Sequence, residues 1–385
     1  MQRYFLLLVP ILIFTACSSP QINTPTDLPT PASTPAEIVP TNDESLEGLP
    51  SLAELPEGWT KIEPGGETRC AHDTPYAYWV RPGSNDKLLL FFQGGGGCWN
   101  AETCAPGSTY YDDDVTSADD PGSRAGGIFA LNNEANPFKD HTIVYMPSCT
   151  GDVYWGDNLR EYERSDGSTL EIYHRGFVNA SAGLDWAYNN VPDPESIFMT
   201  GCSAGAIGSI VHSAYVIEQY PGVPITQVGD SLALVDPDAL DLQSGYGAHD
   251  NFPEWIPELQ TIIPGELLTA DYYTAVANHY PNYTFGEINS AFDAVQIRFY
   301  SALDGQQKNF GRDLQTHIDS IASSTDNFRY YMAAGELHCF TPRANLYTQE
   351  TEGVRLIDWL TALANGEDVE NVQCEDCAAG TSLGE

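Results

Sequence analysis

Basic side chains are scarce in this 385-residue chain: 16 lysines and arginines stand against 54 aspartates and glutamates, a formal charge of −38. A surface this acidic repels phosphate backbones, anionic lipid and polyanionic polymers, which argues against a nucleic-acid-binding role. It also suits salty surroundings, where screening relieves self-repulsion. Beyond the amino terminus no run of eighteen apolar residues occurs, so no later segment reads as a membrane-spanning helix. Nucleotide-binding signatures are missing too. No Gly-Lys-Ser/Thr follows the glycines at 94–97, and Gly-x-Gly-x-x-Gly with a later acid is absent. Cys374-x-x-Cys377 has neither a second such pair nor nearby histidines, so zinc is not expected. Neither metal nor cofactor is called for.

What is present begins with Met1-Gln2-Arg3, a short basic start, and an apolar run from Tyr4 to Phe14 that is too short to span a bilayer. The run ends in Phe14-Thr15-Ala16-Cys17-Ser18-Ser19, which resembles a bacterial lipobox. In such signals the cysteine is lipidated and becomes the first mature residue. Phe14 departs from the usual leucine or similar aliphatic, but it is a worse fit to the small residue of an Ala-x-Ala cleavage site. The alternative is plain secretion with Cys17 discarded. Residues 18–50, rich in Pro, Thr and Ser, read as a tether holding a domain off a membrane. The expected organisation is therefore a signal over 1–17, a tether over 18–50 and one folded domain over 51–385. The location is extracytoplasmic, with the membrane contacted through the Cys17 anchor alone. Eight further cysteines in an exported chain read as up to four disulfides. Cys98 with Cys104, and Cys374 with Cys377, are close enough to pair locally.

Short apolar or aromatic runs alternate with longer amphipathic ones. The runs Leu88 to Gln93, Thr142 to Met146, Ser196 to Thr200, Gln227 to Val235, Val295 to Ser301 and Phe328 to Ala333 read as strands. Phe177 to Asn189, Ala206 to Gln219, Gly311 to Ser323 and Val354 to Leu363 read as helices. Near-continuously apolar strands separated by helices indicate an α/β class: a mostly parallel central sheet covered on both faces. The acidic stretch 112–120 lacks calcium-loop spacing and reads as a solvated loop.

The sharpest chemical signal is Gly201-Cys202-Ser203-Ala204-Gly205, a G-x-S-x-G between an expected strand and an expected helix. That context is what a nucleophile elbow requires, with Ser203 at a helix amino terminus and the Ala204 N–H facing a developing oxyanion. The bland alternative is a glycine-rich helix start with a buried serine. A second signal, Gln93-Gly94-Gly95-Gly96-Gly97-Cys98-Trp99, follows an early strand. Glycines there let backbone N–H groups approach a substrate unobstructed.

A serine hydroxyl needs a base, and the base needs an orienting acid. His338 follows the strand Phe328 to Ala333, at the sheet end where catalytic groups gather. His317 reads as a helix surface residue, and His279 lies in an aromatic-rich insertion that would line a pocket. For the acid, Asp304 ends the apparent strand before His338; Asp230, Asp236 and Asp238 compete.

Gly-Gly-Gly-Gly-Cys-Trp-Asn at 94–100, Gly-Cys-Ser-Ala-Gly at 201–205, Ala-Leu-Asp-Gly-Gln-Gln at 302–307 and His338-Cys339-Phe340 together resemble the pectin acetylesterase/Notum family. The likeness runs from about Trp59 onward. It implies an α/β-hydrolase fold and metal-free ester hydrolysis. It places the triad on Ser203, Asp304 and His338, with oxyanion donors from Gly95, Gly96 and Ala204. Where the Notum branch has an aromatic pair after two glycines, this chain has Gly96-Gly97, so the character of the pocket does not transfer. The expected activity is removal of a short acyl group, such as acetyl, from a glycan or small ester. A highly anionic pectin sits poorly with the −38 charge. Rival readings are an inactive, surface-tethered binding protein on the same fold, a lipid-deacylating carboxylesterase, and a peptidase or lipase.

Overall fold

The computed structural model describes residues 48–379 and 381, apart from 85, 125, 232–244, 263–266 and 304. In chain order the strands are β1 (Thr60–Ile62), β2 (Tyr78–Arg81), β3 (Lys87–Phe92), β4 (Thr142–Met146), β5 (Asn158–Glu163), β6 (Thr169–His174) and β7 (Ser196–Cys202). They continue as β8 (Ile225–Asp230), β9 (Thr284–Ser290), β10 (Phe328–Ala333), β11 (Glu350–Thr351), β12 (Val354–Arg355) and β13 (Val372–Gln373). The longer helices are α1 (Gly176–Asn190), α2 (Ala204–Gln219), α3 (Thr269–His279), α4 (Ala294–Ala302), α5 (Phe310–Ser324) and α6 (Leu356–Ala364). All the described residues belong to one compact unit.

Nine strands form one sheet in the order β1-β2-β4-β3-β7-β8-β9-β10-β13. β2 pairs antiparallel with β1 and β4, and every pair from β4 to β13 is parallel. Parallel strands need crossovers, and helices supply them, so both faces are covered. In β3 the alternation is direct. Leu88, Leu90 and Phe92 join the core cluster beneath α1, α2, α3 and α5, while Leu89 and Phe91 join the opposite cluster beneath α6. Each such buried side chain contributes about 2 kcal/mol. This is the α/β-hydrolase-like arrangement that the sequence pattern indicated, and it gathers the carboxyl ends of β3, β7, β8, β9 and β10 along one edge.

One expected strand fails locally. Val295 to Ser301 is not a strand but the body of α4, whose buried residues Gln296, Ile297 and Tyr300 follow helical spacing rather than period two. Asp293 starts this helix, its side chain accepting from Val295 N and Gln296 N. The strand at this place in the sheet is β9, which has no clear strand pattern because Gly286, Glu287 and Asn289 interrupt its apolar run. The expected strand Gln227 to Val235 is β8; residues 232–235 lie outside the described ones.

The eight cysteines pair as Cys70–Cys149, Cys98–Cys104, Cys202–Cys339 and Cys374–Cys377. The two short loops close as their spacing suggested. No helix among the described residues is long and apolar enough to cross a membrane. Cys17 and the expected tether up to residue 47 lie outside the described residues.

Candidate active site

β7 ends at Cys202 and α2 begins at Ala204, so Ser203 makes the turn between them. Its φ of 55° and ψ of −127° lie where non-glycine residues rarely sit, a conformation costing about 1–3 kcal/mol. Ser203 N donates to Asp230 O at 2.8 Å, and Ala206 N donates to Ser203 O at 2.7 Å. The turn is this tight because its flanks carry no Cβ. One on Gly201 would lie 2.1 Å from Gly205 O, and one on Gly205 would lie 2.0 Å from Phe92 O.

The glycine run passes directly beside this elbow. A Cβ on Gly94 would meet Cys202 O at 2.7 Å, and one on Gly96, where φ is +69°, would meet Tyr110 O at 2.0 Å. Asp112 N donates to Gly95 O at 2.9 Å and Gly97 N to Tyr110 O at 3.1 Å, which pins the run. Among the described residues the N–H groups of Gly95 and Gly96 have no hydrogen-bond partner. They and the Ala204 N–H at the start of α2 are suited to receive a negative oxygen.

His338 lies in the loop after β10. Its Nδ1 is 2.8 Å from Asp293 Oδ2, and because an ionised carboxylate can only accept, Nδ1 is the donor and Nε2 keeps its lone pair. Asp293 is fully buried. Its Oδ1 accepts from Val295 N at 2.9 Å and Gln296 N at 3.0 Å, and Oδ2 also accepts from Gln296 Nε2 at 3.2 Å. The acid loop holds the base loop in turn. Phe292 N donates to Gly335 O, Ala294 N to Glu336 O and Ser290 Oγ to Leu337 O.

Ser203, His338 and Gly94, Gly95 and Gly96 line one cleft of about 370 Å³. The acid expected at Asp304 lies outside the described residues, as do the competitors Asp236 and Asp238. The carboxylate facing His338 is that of Asp293. The strand before β10 in the chain is β9 rather than 295–301, and Asp293 lies three residues past its end. An Asp before residues spaced 296, 297 and 300 was the available signal. Asp230 is fully buried, and burial raises its pKa while its hydrogen bonds oppose this. Its carboxylate faces the backbone of Phe340 and Thr341, not His338. His317, read as a surface residue, is buried with Nε2 2.9 Å from Glu287 Oε1, and His279 is exposed rather than lining the cleft.

Cys202 Sγ, Cys339 Sγ and a ring nitrogen of His338 lie within 4.8 Å of one another. Both sulfurs are bonded as a disulfide, so neither offers the thiolate that a metal would need. Among the described residues the cleft also takes in Arg124, Arg298 and Arg343 against one carboxylate, Asp112.

Known proteins carry related sequences. A stretch of 151 residues is 29% identical to the palmitoleoyl-protein carboxylesterase NOTUM of Schmidtea mediterranea, covering 37% of this chain and 27% of that protein. The human palmitoleoyl-protein carboxylesterase NOTUM is 25% identical over 173 residues, 42% of this chain and 33% of its own length. Pectin acetylesterase 4 of Arabidopsis thaliana is 24% identical over 148 residues, 36% and 33% of the two chains. The matched stretches thus span about a third of these relatives or less. Residues 65–301, which hold Ser203 and Asp293, match the family described as Pectinacetylesterase. That span is more than half of the chain, and the chain belongs to the pectinacetylesterase family.

Proposed function

We propose that this protein is a serine carboxylic-ester hydrolase using Ser203, His338 and Asp293. The observation that carries this reading is the strained Ser203 turn lining the same cleft as a histidine whose Nδ1 is bonded to a buried carboxylate. Ser203 Oγ attacks the ester carbonyl carbon while His338 Nε2 takes its proton. The carbonyl oxygen becomes an oxyanion held by N–H groups of Gly95, Gly96 and Ala204. Collapse breaks the C–O bond, and the alcohol leaves with the proton from His338. Water then attacks the acyl-enzyme by the same route, releasing the acid and restoring Ser203. Asp293 orients the imidazole and stabilises its protonated form.

For the substrate, the cleft arginines support an anionic partner. The chain has 16 bases against 54 acids, yet three arginines and one acid line this cleft. Arg124 also lies 3.5 Å from Asp119, so Arg298 and Arg343 are the cleft cations that set the local sign apart from the acidic surface. This favours a short acyl ester on an anionic glycan over the long acyl chain that the names of the NOTUM relatives indicate for those proteins. Four disulfides fit an oxidising compartment, and with the Cys17 lipobox they support an extracytoplasmic, lipid-anchored enzyme.

Hydrolysis of acetyl, butyryl and octanoyl p-nitrophenyl esters by the purified protein and its folded Ser203→Ala variant tests the reading. Turnover is expected to be fastest with acetyl and to fall by about 10⁶ without Ser203. Equal rates in both proteins would leave a binding protein on a hydrolase fold as the better account.

A further inference from the structure

Of the seven non-glycine residues with positive φ among the described ones, three meet at one place: Ser203 at 55°, Ser231 at 62° and Cys339 at 63°. They belong to the nucleophile turn, the end of β8 and the loop carrying His338. Each is a sparsely populated conformation for a side-chain-bearing residue and persists only where its surroundings over-determine it. At this place the surroundings converge on Asp230.

Asp230 is paired with Cys202 in the parallel ladder between β7 and β8. Its carbonyl accepts from Ser203 N, one side of the knot. Its carboxylate takes the other side. Oδ2 accepts from Phe340 N at 2.8 Å, Thr341 N at 2.6 Å and Thr341 Oγ1 at 2.7 Å. Oδ1 accepts from Ser231 Oγ at 2.9 Å, and that hydroxyl accepts from Cys339 N at 2.9 Å. The Cys202–Cys339 disulfide then joins the residue before the nucleophile to the residue after the base. Asp230, Ser231, Phe340 and Thr341 are fully buried and Cys339 nearly so, so water does not compete for these bonds.

We propose that Asp230 and the Cys202–Cys339 disulfide act as a two-part staple that sets the distance between Ser203 and His338, making Asp230 a positioning residue for the reaction. The acid loop holds the backbone of residues 335–337 from one side, and the staple holds 339–341 from the other. His338 is suspended between two anchors. The proposal rests on the reading of Ser203 and His338 as nucleophile and base. Its energetic basis is geometric: a displacement of about 1 Å in a reacting group costs about 100-fold in rate.

The experiment compares wild type with Asp230→Ala, Asp230→Asn and the double variant Cys202→Ser/Cys339→Ser. It measures kcat and KM on p-nitrophenyl acetate and the rate at which a fluorophosphonate labels Ser203, with thermal unfolding followed in parallel. Asp230→Ala and the double variant are expected to lose about 100-fold in kcat and in labelling rate well below their melting temperatures, with KM within about threefold. Asp230→Asn keeps one oxygen acceptor and should recover most of the rate. Where the double variant does not fold, the folded wild type is treated briefly with a water-soluble phosphine. The phosphine becomes its oxide, water supplying the oxygen and the two thiol protons; reoxidation by oxidised glutathione, itself reduced to two thiols, should restore activity. Cys202 lines the cleft, whereas Cys70–Cys149 and Cys98–Cys104 are fully enclosed. A Cys374→Ser/Cys377→Ser variant controls for the remaining pair, of which Cys377 is half-buried. Lowered melting temperatures with unchanged kcat and labelling would reduce the staple to a stability element and overturn the proposal. A Ser203→Ala protein that still hydrolyses ester would instead sink the functional reading beneath it.

Discussion

His338 Nδ1 lies 2.8 Å from Asp293 Oδ2, and the same oxygen accepts from Gln296 Nε2 at 3.2 Å. Gln296 Nε2 also donates to Asn289 Oδ1 at 3.0 Å, and Asn289 Nδ2 donates to Glu287 Oε2 at 3.0 Å. Glu287 Oε1 meets His317. Each amide in this buried chain has its orientation fixed by its neighbour, so Asp293 is held as firmly from behind as His338 is from in front.

Asp293→Asn should therefore lower kcat on acetyl esters by about 10⁴, because an amide at this position favours the wrong imidazole tautomer. Asp304→Asn should leave kcat within a few-fold. Steady-state kinetics of the two folded variants decide it. A large loss at position 304 with little at 293 would return the acid role to Asp304.

The contrast between Asp293 and Asp304 shows what the sequence carried and what it withheld. The elbow was legible because sterics leave few choices: strand, Gly-x-Ser-x-Gly and helix can only make one turn. Strands such as Thr142–Met146 and Phe328–Ala333 were legible to the residue because they are buried on both faces. The strand leading to Asp293 was not, because β9 carries the buried polar residues Glu287, Asn289 and Ser290, which break the apolar pattern. Likewise nothing in the spacing of Asp230 announced that its partners lie 110 and 111 positions away. Cys202 and Cys339 were each noted, but their pairing follows from the fold, not from their separation.

The glycine run makes a sharper prediction, since its members are not equivalent. A methyl group on Gly97 would find its nearest neighbour, Gly151 O, at 3.5 Å, and no positive φ constrains it. Gly97→Ala should fold normally and keep kcat within about threefold, as expected of an ordinary van der Waals contact. Gly96→Ala forces a Cβ to 2.0 Å from Tyr110 O at a φ of +69°. Overpacking of this kind costs about 1–3 kcal/mol, and displacing an oxyanion donor lowers kcat by about 100-fold. Urea unfolding and kinetics on the pair would show the contrast; equal behaviour would mean that Gly96 N–H takes no part.

The cleft arginines predict a substrate-dependent effect. Arg298 donates to Thr109 O and Oγ1 and lies 4.9 Å from the Tyr110 ring centre, so it is held in place at the cleft; Arg343 is exposed beside it. A charge-assisted hydrogen bond to a carboxylate contributes about 1.5–3 kcal/mol, of which exposure leaves the lower part. Arg298→Ala and Arg343→Ala should each lower kcat/KM on acetylated polygalacturonate by about tenfold. Both should act on p-nitrophenyl acetate almost as wild type does. Equal losses on the two substrates would point to a distorted site, and no loss on either would remove the case for an anionic glycan.

Buried histidines make the fold sensitive to mild acid. Burial pushes His174 down to about 4 and His212 down to about 3, from an ordinary 6.5. Their folded pKa values lie below the unfolded one, so between these values the unfolded chain binds more protons. The stability they provide is complete above pH 6.5 and drains away as pH falls toward 4. For His174 the linkage amounts to about 3 kcal/mol when fully lost. Asp112, Asp152 and Asp185 run the opposite way: burial raises each to about 6, so the fold regains part of this stability as those carboxyls protonate. His212 isolates the histidine effect, because its ring is stacked on Phe92 and Phe177 at interplanar angles of 17° and 21°. A phenyl ring fits that slot without titrating. Urea midpoints measured at pH 7.5 and pH 4.5 should differ less in His212→Phe than in wild type. If the two proteins lose stability in parallel, His212 is not among the groups that drive acid unfolding.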